Sequence, residues 1–427
     1  MRRDLLITFA NNALSFICRV SVYRLAARWF GPVGFGEYAL ARRGASFLQP
    51  VLLMGLGVGL TRYIAISPAK ADNGTKQASY IVAGYGSVLL FSLLVIACAG
   101  LMPGVLGKAV FGKPGYEGYV LAIAFLGESY LVCSLVFAYF RGNGRFVEAN
   151  IFSALSDGIV PIAALLCISS VKTALEGTAA GAFLVALVFS LPVVRAVVPC
   201  LKNIEWTSSL KELLRYGLAR VPGDISMAGF RALPVFLVSN LFGVTEAGYV
   251  AVGISIVDMV GEVFAPIGLI TLPKMSSILS EGRHDEARTI LQRIIAYTAV
   301  ISLGMTIALY LSAGYVVHYW LGPKFDEATG IVRLMMLAAV PNALYVALRS
   351  SIDAAHVRAI NAGNSYRALL VSAVAYSVAW AGHLTLAGIA LSFLLGMVVL
   401  CFLTIKVSLS SYGLSVKWGL MRISSWG

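Results

Sequence analysis

The sequence predicts an all-α polytopic membrane protein with about twelve transmembrane helices, arranged as two parallel six-helix lobes. The composition is the first reason, because 59% of the residues are hydrophobic and only 12% are charged, against roughly 25% charged in soluble domains. The second reason is that apolar segments of about 20 residues, enough to span a bilayer, recur along the whole chain. A soluble chain of 427 residues would form two or three domains, but this composition indicates lipid as the solvent.

The twelve predicted spans are separated by short loops that contain Gly and Pro. They cover 5–28, 36–65, 77–101, 117–140, 148–168, 176–198, 212–241, 246–278, 290–313, 328–354, 362–381 and 384–407. An even number of spans places both termini on one side. Met1-Arg2-Arg3 and the apolar run behind it are interpreted as the start of a retained first span, because Asn11, Asn12 and Arg19 interrupt the run.

The basic residues orient the chain. With the N-terminus in the cytoplasm, twenty of the 33 Lys and Arg residues, Lys70, Lys417 and Arg422 among them, fall in inner loops and tails. Only Lys108, Lys113, Lys172 and Lys324 fall in outer loops. The positive-inside rule therefore predicts cytoplasmic termini and explains the net charge of +13 without nucleic-acid binding.

An internal repeat predicts the two lobes. Phe30-Gly31 and Phe242-Gly243 end the first and seventh spans, and Arg62 and Lys274 end the second and eighth, each pair 212 positions apart. Six spans per half would make the halves parallel repeats about an axis along the membrane normal. We therefore expect lobes at 1–200 and 201–427, joined by the polar connection 199–211.

Arginines inside apolar segments are the main functional signal. Arg19, Arg24, Arg42 and Arg43 all fall within the first two spans, where a charged side chain at mid-depth costs ~2.5–3.5 kcal/mol. Such residues face a protein interior or a water-filled cavity, and a cationic cavity suits an anionic cargo. The alternative for Arg24, Arg28, Arg42 and Arg43 is that they extend to the outer headgroups.

Five carboxylates at mid-depth are candidates for ion coupling, namely Glu128, Asp157, Asp224, Asp258 and Glu262. Asp258 and Glu262 are four residues apart and share a helix face. A carboxylate there could take up a proton or hold Na⁺, as a cation-coupled transporter requires. The alternative is that these acids neutralise nearby arginines as fixed ion pairs.

Pro222 and Gly223 form a predicted hinge in the seventh span. Proline removes a backbone donor and bends a helix, and Arg220 and Asp224 flank it at i and i+4. A hinge for alternating access and a static, packed kink are both consistent with this pattern.

Catalytic and cofactor motifs are missing from the sequence. There is no GxxxxGK[ST] loop and no Ser/His/Asp set, and the six cysteines are scattered, mostly in apolar segments, without a CxxC pair. We therefore expect no enzyme, no cofactor and no metal site.

Several short stretches resemble the Wzx-type polysaccharide and O-antigen flippases of the multidrug/oligosaccharidyl-lipid/polysaccharide (MOP) exporter superfamily. They are residues 30–38 (FGPVGFGEY), 59–63 (GLTRY), 139–142 (YFRG), 216–224 (YGLARVPGD), 320–324 (WLGPK) and 351–354 (SIDA). The matches are spread over most of the chain, although no single one is diagnostic.

The resemblance implies two six-helix lobes around a central cavity that opens alternately to each side of a bacterial inner membrane. Its cargo would be an undecaprenyl-diphosphate-linked oligosaccharide, and transport would be driven by an ion gradient or by consumption of the cargo. Guanidinium groups match phosphate oxygens, so Arg19 and Arg24, with Arg220 and Arg231 facing them from the second lobe, are the expected diphosphate ligands. The protein would work as a monomer among membrane lipids, with a polysaccharide polymerase or other assembly protein as a partner.

Three other functions stay open. A lipid-II-type flippase carries a similar cargo. A drug/cation antiporter shares the layout, but a cationic cavity would repel its cargo. A non-transporting membrane subunit of a polysaccharide synthase complex is the third. A polymerase or ligase of lipid-linked glycans ranks last, because the outer loops around 102–116 and 314–327 are short.

Overall fold

A computed structural model describes residues 2–67, 74–167, 170–356, 358–382 and 385–414, with side chains from Asn11 onward. These residues are almost entirely helical. The α-helices are α1 (Arg2–Leu53), α2 (Leu56–Ile66), α3 (Thr75–Leu101), α4 (Pro103–Phe111), α5 (Glu117–Gly142), α6 (Phe146–Ser153), α7 (Val160–Cys167), α8 (Val171–Phe189), α9 (Leu191–Val197), α10 (Trp206–Gly217), α11 (Val221–Leu241), α12 (Val244–Ser280), α13 (His284–Leu311), α14 (Ala313–Trp320), α15 (Thr329–Met336), α16 (Ala339–Ala355), α17 (Ile360–Ala381) and α18 (Leu386–Ser411). A π-helical turn covers Ala154–Ile159, and 3₁₀ turns cover Val198–Asn203 and Pro323–Ala328.

Within the described ranges, eight helices are long and apolar enough to cross a membrane, or up to ten if each of two bent pairs forms one span. The prediction of an all-α polytopic membrane protein is therefore confirmed, while the count of twelve spans stays a prediction. Lys70, Lys417 and Arg422, which we assigned to the inner side, lie outside the described residues.

Two backbone breaks divide the first fifth of the chain. The long α1 is interrupted at Gly31, whose φ of 63° and ψ of −173° are not helical, between the predicted spans 5–28 and 36–65. A second break separates α1 from α2 at Met54 (φ 44°) and Gly55 (φ 73°). Positive φ is inexpensive for glycine but strained for methionine, so Met54 is held there by its surroundings.

The predicted span 212–241 is divided between two helices. The segment Trp206–Gly217 forms α10, and α11 begins only at Val221. Pro222 lies in the first turn of α11, where the missing N–H has no helical partner in any case. The proline therefore accompanies the start of a helix rather than a kink inside one.

The chain divides into two compact units. Unit 1 contains residues 1–228 and 235–248, and unit 2 contains residues 229–234 and 249–427. The lobe boundaries predicted at 1–200 and 201–427 stay a prediction.

Unit 1 is built around α5, which packs against α1, α2, α3, α4 and α8. Leu131, Leu135 and Phe140 of α5 are almost fully buried, together with Leu60 of α2 and Leu213 of α10. Burial of each such side chain contributes roughly 1.5–3 kcal/mol when the reference is water. In lipid the gain comes mainly from close packing.

Unit 2 is built around α16 and α18, which pack against each other and against α13, α15 and α17. Met275, Leu291, Leu348, Leu409 and Tyr412 form a buried cluster at one end. Small polar side chains are buried along these helices, among them Ser351 and Ser408, whose hydroxyls lie 3.3 Å apart. Such hydrogen bonds between helices are typical of membrane interiors.

The outer faces of several spans are apolar and exposed. On α3, Leu89, Leu90, Leu93 and Leu94 are each at least 59% exposed. A run of exposed leucines on one helix face would be an aggregation hazard in water. In a bilayer it is the lipid-facing surface.

Candidate functional site: charged clusters in each unit

Arg42 is held in unit 1 by tyrosines. Tyr38 lies one turn earlier on α1, so both side chains share a face, and the Arg42 Cζ lies 5.6 Å from the Tyr38 ring centroid. The guanidinium also interacts with the hydroxyls of Tyr38 and Tyr130. Its Nη1 is buried and has no hydrogen-bond partner in the described part of the chain. One donor of Arg42 is therefore unused within the described residues.

Asp157 lies in the π-helical turn that connects α6 and α7. Pro161 has no N–H to return to the Asp157 carbonyl four residues earlier, and π turns form where the regular helical ladder is interrupted. The carboxylate accepts a hydrogen bond of 3.0 Å from the Ser153 hydroxyl. The positive charges of Arg19 and Arg42 act on it. The structure thus brings together three residues that the sequence singled out separately.

The other predicted cations of α1 are placed differently. Arg24 and Arg28 are exposed, whereas Arg43 is partly buried. Exposure at these positions fits both a cavity wall and the headgroup alternative, so the role of Arg24 stays a prediction.

Glu128 is buried in α5, with 3% of its surface exposed. It accepts a hydrogen bond from the Ser92 hydroxyl, and no arginine among the described residues pairs with it. Ser92 lines an apolar cavity of about 440 Å³ in unit 1, between Ile81, Leu135 and Val194. Glu128 is therefore a buried acid at the edge of an apolar space.

An ion pair marks unit 2. Arg231 Nε donates to both carboxylate oxygens of Asp258 at 3.1 Å. The side chains are 44% and 20% exposed, and the charges of Glu262 and Tyr345 also act on Arg231. The ion-pair alternative considered for Asp258 is thus observed in the structure, and ion coupling by Asp258 and Glu262 stays a prediction.

Arg220 lies in unit 1, although we had expected it to face the cargo from the second lobe. It immediately precedes α11, donates from Nη1 to the Tyr216 carbonyl at 3.2 Å and lies over the Tyr216 ring. Asp224 is exposed in the first turn of α11, and its N–H donates to the Arg220 carbonyl. The hinge at Pro222 and Gly223 stays a prediction, now at a junction between helices.

Metal ligands are not grouped in the described residues, where no three His, Cys, Asp or Glu side chains could hold one ion together. All six cysteines are free thiols.

Residues 25–330 match the model of a protein family described as "Polysaccharide biosynthesis protein". The chain belongs to this family. No curated protein matches the chain significantly.

Solved structures agree in fold over nearly the whole chain. One is an inward-facing multidrug resistance MATE family transporter of the MOP superfamily, at TM-score 0.75 and 16% identity, covering 99% of this chain and 98% of that one. Another is the lipid II flippase MurJ in an inward closed conformation, at TM-score 0.75 and 12% identity, covering 100% and 90%. A third is a MOP superfamily transporter from Pyrococcus furiosus Vc1 with a binding pocket of reversed polarity, at TM-score 0.56 and 14% identity, covering 99% and 96%. This chain therefore has the fold of the MOP superfamily transporters, and the predicted resemblance to that superfamily is confirmed. Membership of the Wzx type stays a prediction.

Proposed function

We propose that the protein is a flippase that carries undecaprenyl-diphosphate-linked oligosaccharide from the inner to the outer leaflet of a bacterial cytoplasmic membrane. It would act as a monomer by alternating access, with both termini in the cytoplasm, and pass its glycan to a polymerase or another assembly protein. The family supports a role in polysaccharide synthesis. The observation that carries the choice of cargo is the buried guanidinium of Arg42, which is surrounded by tyrosines and keeps an uncommitted Nη1.

The tyrosine surroundings matter because they leave the charge of Arg42 in place. A phenol accepts a hydrogen bond and offers a cation–π contact, but it carries no compensating negative charge. A diphosphate would supply that charge and bind through paired N–H···O⁻ bonds. A cationic drug would instead meet repulsion, which argues against the antiporter alternative.

Asp157 would couple transport to a proton gradient. Its carboxylate competes with the cargo for the positive charge of Arg19 and Arg42. Protonation would remove this competitor and strengthen diphosphate binding, and deprotonation would favour release. The π-helical turn gives the side chain a backbone that can change by one hydrogen-bond register.

Arg231 would respond to protonation in the same way. While Asp258 is ionised, Arg231 is paired with it. Protonation of Asp258 would weaken the pair and free the guanidinium for cargo, with Glu262 as a nearby alternative proton acceptor. Unit 2 would thus offer an unpaired guanidinium to the cargo only while Asp258 is protonated.

The test uses proteoliposomes that contain a fluorescent undecaprenyl-diphosphate-linked oligosaccharide, with cargo translocation followed by quenching from outside. We expect Arg42→Gln to lower the initial rate at least tenfold, because a hydrogen bond to a charged group contributes about 1.5–3 kcal/mol. Arg42→Lys should restore part of the rate, since it keeps the charge without the fork. Arg28→Gln is the matched control on the same helix and should be close to wild type.

The same assay with lipid II in place of the oligosaccharide distinguishes the nearest alternative. Faster transport of lipid II by the wild type would reassign the cargo. Wild-type transport by Arg42→Gln with either substrate would remove the cationic site from the proposal. Deletion of the gene in its host should cause the lipid-linked glycan to accumulate in the inner leaflet, and a normal distribution would refute the flippase.

A further inference from the structure

Two arginines of unit 1 lie against one tyrosine ring. The Arg62 Cζ is 4.5 Å and the Arg220 Cζ is 4.2 Å from the centroid of Tyr216. The Arg62 guanidinium also hydrogen-bonds to the Tyr216 hydroxyl. Since both cations lie within 4.5 Å of one point, their guanidinium carbons are less than about 9 Å apart. A separation of that size can be bridged by one phosphate group that accepts an N–H···O⁻ bond of about 2.7–2.9 Å from each guanidinium.

The nearest carboxylates in sequence are Glu212, four residues before Tyr216, and Asp224, four residues after Arg220. Within the part of the chain that the structure describes, neither Arg62 nor Arg220 forms an ion pair. Glu212 accepts a hydrogen bond from the Tyr80 hydroxyl. Two like charges are thus held close together by contacts to a neutral ring, which favours an anion as their shared partner.

The helix that carries Tyr216 is amphipathic. The apolar side chains of α10, including Trp206, Leu210 and Leu213, pack into the core of unit 1. Lys211 and Arg215 are exposed and lie four residues apart on the opposite face. Glu212 is also exposed on α10, so the helix adds a net charge of +1 beside the arginine pair.

Contacts fix α10 against the start of α2 and the start of α3. A Cβ on Gly55 would lie 2.6 Å from both Cα and O of Gly217, so the two backbones touch. The Glu205 N–H donates to the Ser79 hydroxyl at 3.0 Å. The arginine pair is thus held where α10 packs against α2 and α3. The positive-inside rule predicts that the connection between α2 and α3 is cytoplasmic.

We propose that Arg62 and Arg220, which both contact Tyr216, bind the phosphate group of a membrane lipid at the predicted cytoplasmic surface. Lys211 and Arg215 would attract anionic lipids to this surface. The site is separate from Arg19, Arg42 and Asp157 and does not depend on the flippase proposal. A phospholipid and a prenyl diphosphate present the same chemistry, so the experiment separates these two sources.

The test is native mass spectrometry of the purified full-length protein with phosphatidylglycerol and phosphatidylcholine of identical acyl chains. We expect at least tenfold preferential retention of phosphatidylglycerol by the wild type and loss of this preference in R62A/R220A. The matched control is R141A/R145A, which also removes two charges of unit 1, from over Phe137 (5.5 Å) and Phe140 (4.9 Å). This control should retain the preference.

Competitors identify the source of the phosphate. Displacement of phosphatidylglycerol by farnesyl diphosphate but not by inorganic phosphate would support the site with a prenyl diphosphate as its ligand. Resistance to both would support it with a phospholipid. Equal displacement by inorganic phosphate would show a free-anion site and overturn the proposal.

Lysine variants cover the case in which the alanine variant does not fold. R62K/R220K keeps both charges and the aliphatic stems but not the planar forks. We expect it to lose most of the preference, by three- to tenfold. Wild-type retention by R62A/R220A, or by R62K/R220K where only that variant folds, would overturn the proposal. Because retention is measured without transport, a failure here leaves the flippase test unaffected.

Discussion

Replacement of Asp258 by alanine tests whether the ion pair of unit 2 is structural or functional. Asp258→Ala removes both acceptors of Arg231 Nε, which lie at 3.1 Å. Arg231 would then depend on the charge of Glu262 and on partial hydration. Removing one partner of a pair is more destabilising than removing both, because an unpaired charge remains.

The exposure of the two side chains sets the magnitude. Exposed pairs contribute about 0.2–1 kcal/mol, whereas breaking a buried pair costs about 3–5 kcal/mol. With Arg231 44% and Asp258 20% exposed, the pair falls between these limits. We expect Asp258→Ala to lower the free energy of unfolding by about 2 kcal/mol. In a double-mutant cycle the coupling should be about 1–2 kcal/mol.

The assay is reversible unfolding in detergent–SDS mixtures for wild type, R231A, D258A and R231A/D258A, with transport measured on the same four proteins. A structural pair predicts that the double variant regains both stability and transport relative to D258A. A functional pair predicts that stability is regained and transport is not. Coupling below about 0.3 kcal/mol, the usual error for independent sites, would refute the view that the two side chains form one energetic unit.

Three further outcomes follow from local geometry. Gly55→Ala should destabilise unit 1 by about 1–3 kcal/mol, because φ is +73° and the new Cβ would meet Gly217; the same unfolding assay measures it, and wild-type stability would contradict the close contact. Asp157→Asn should abolish acceleration of transport by an imposed ΔpH while transport without the gradient persists, and an unchanged response would exclude Asp157 as the coupling group. The hydrogen bond from Arg283 lowers the pKa of Glu281, between α12 and α13. The resulting stabilisation is present above the ordinary glutamate pKa and is lost as pH falls through the lowered pKa. Amide hydrogen exchange at residues 281–286 should therefore rise as pH falls through the lowered pKa, and exchange protection that does not depend on pH would contradict this prediction.

The sequence was sufficient for the helical membrane architecture because hydropathy and span length act locally. Segments 77–101 and 117–140 correspond to α3 (Thr75–Leu101) and α5 (Glu117–Gly142) within two residues at each end. A transmembrane helix satisfies its backbone hydrogen bonds internally, so such an element can be predicted without knowing its neighbours. The same logic failed at 212–241, where α10 is amphipathic and packs on unit 1 rather than continuing into α11.

The candidate sites depend on neighbours and were therefore only partly predictable. Arg231 and Asp258 were both singled out, but 27 positions separate them and no pattern in the sequence joins them. The tyrosines around Arg42 were missed altogether. Tyr38 could have been found from its i,i+4 spacing, whereas Tyr130 comes from α5. The π-helical turn at Asp157 had one local signal, Pro161 four residues later.

Arg42 and Arg231 differ in their partners, and this difference has a mechanistic consequence. Arg42 contacts tyrosines and forms no ion pair among the described residues, although the charge of Asp157 acts on it from a distance. Arg231 is held by Asp258, so its net charge toward a ligand depends on whether that carboxylate is ionised. A transporter needs cargo affinity that changes during the cycle, and a ligand shifts an equilibrium only through differential affinity for two states. Under the proposed function, Arg42 would supply cargo affinity throughout the cycle, and Arg231 would supply affinity that changes with the ionisation of Asp258. Asp258→Asn removes the carboxylate that pairs with Arg231, so the guanidinium stays available to cargo at all pH values. This variant should therefore bind cargo more tightly and release it more slowly. A variant with weaker cargo binding than wild type would contradict this division.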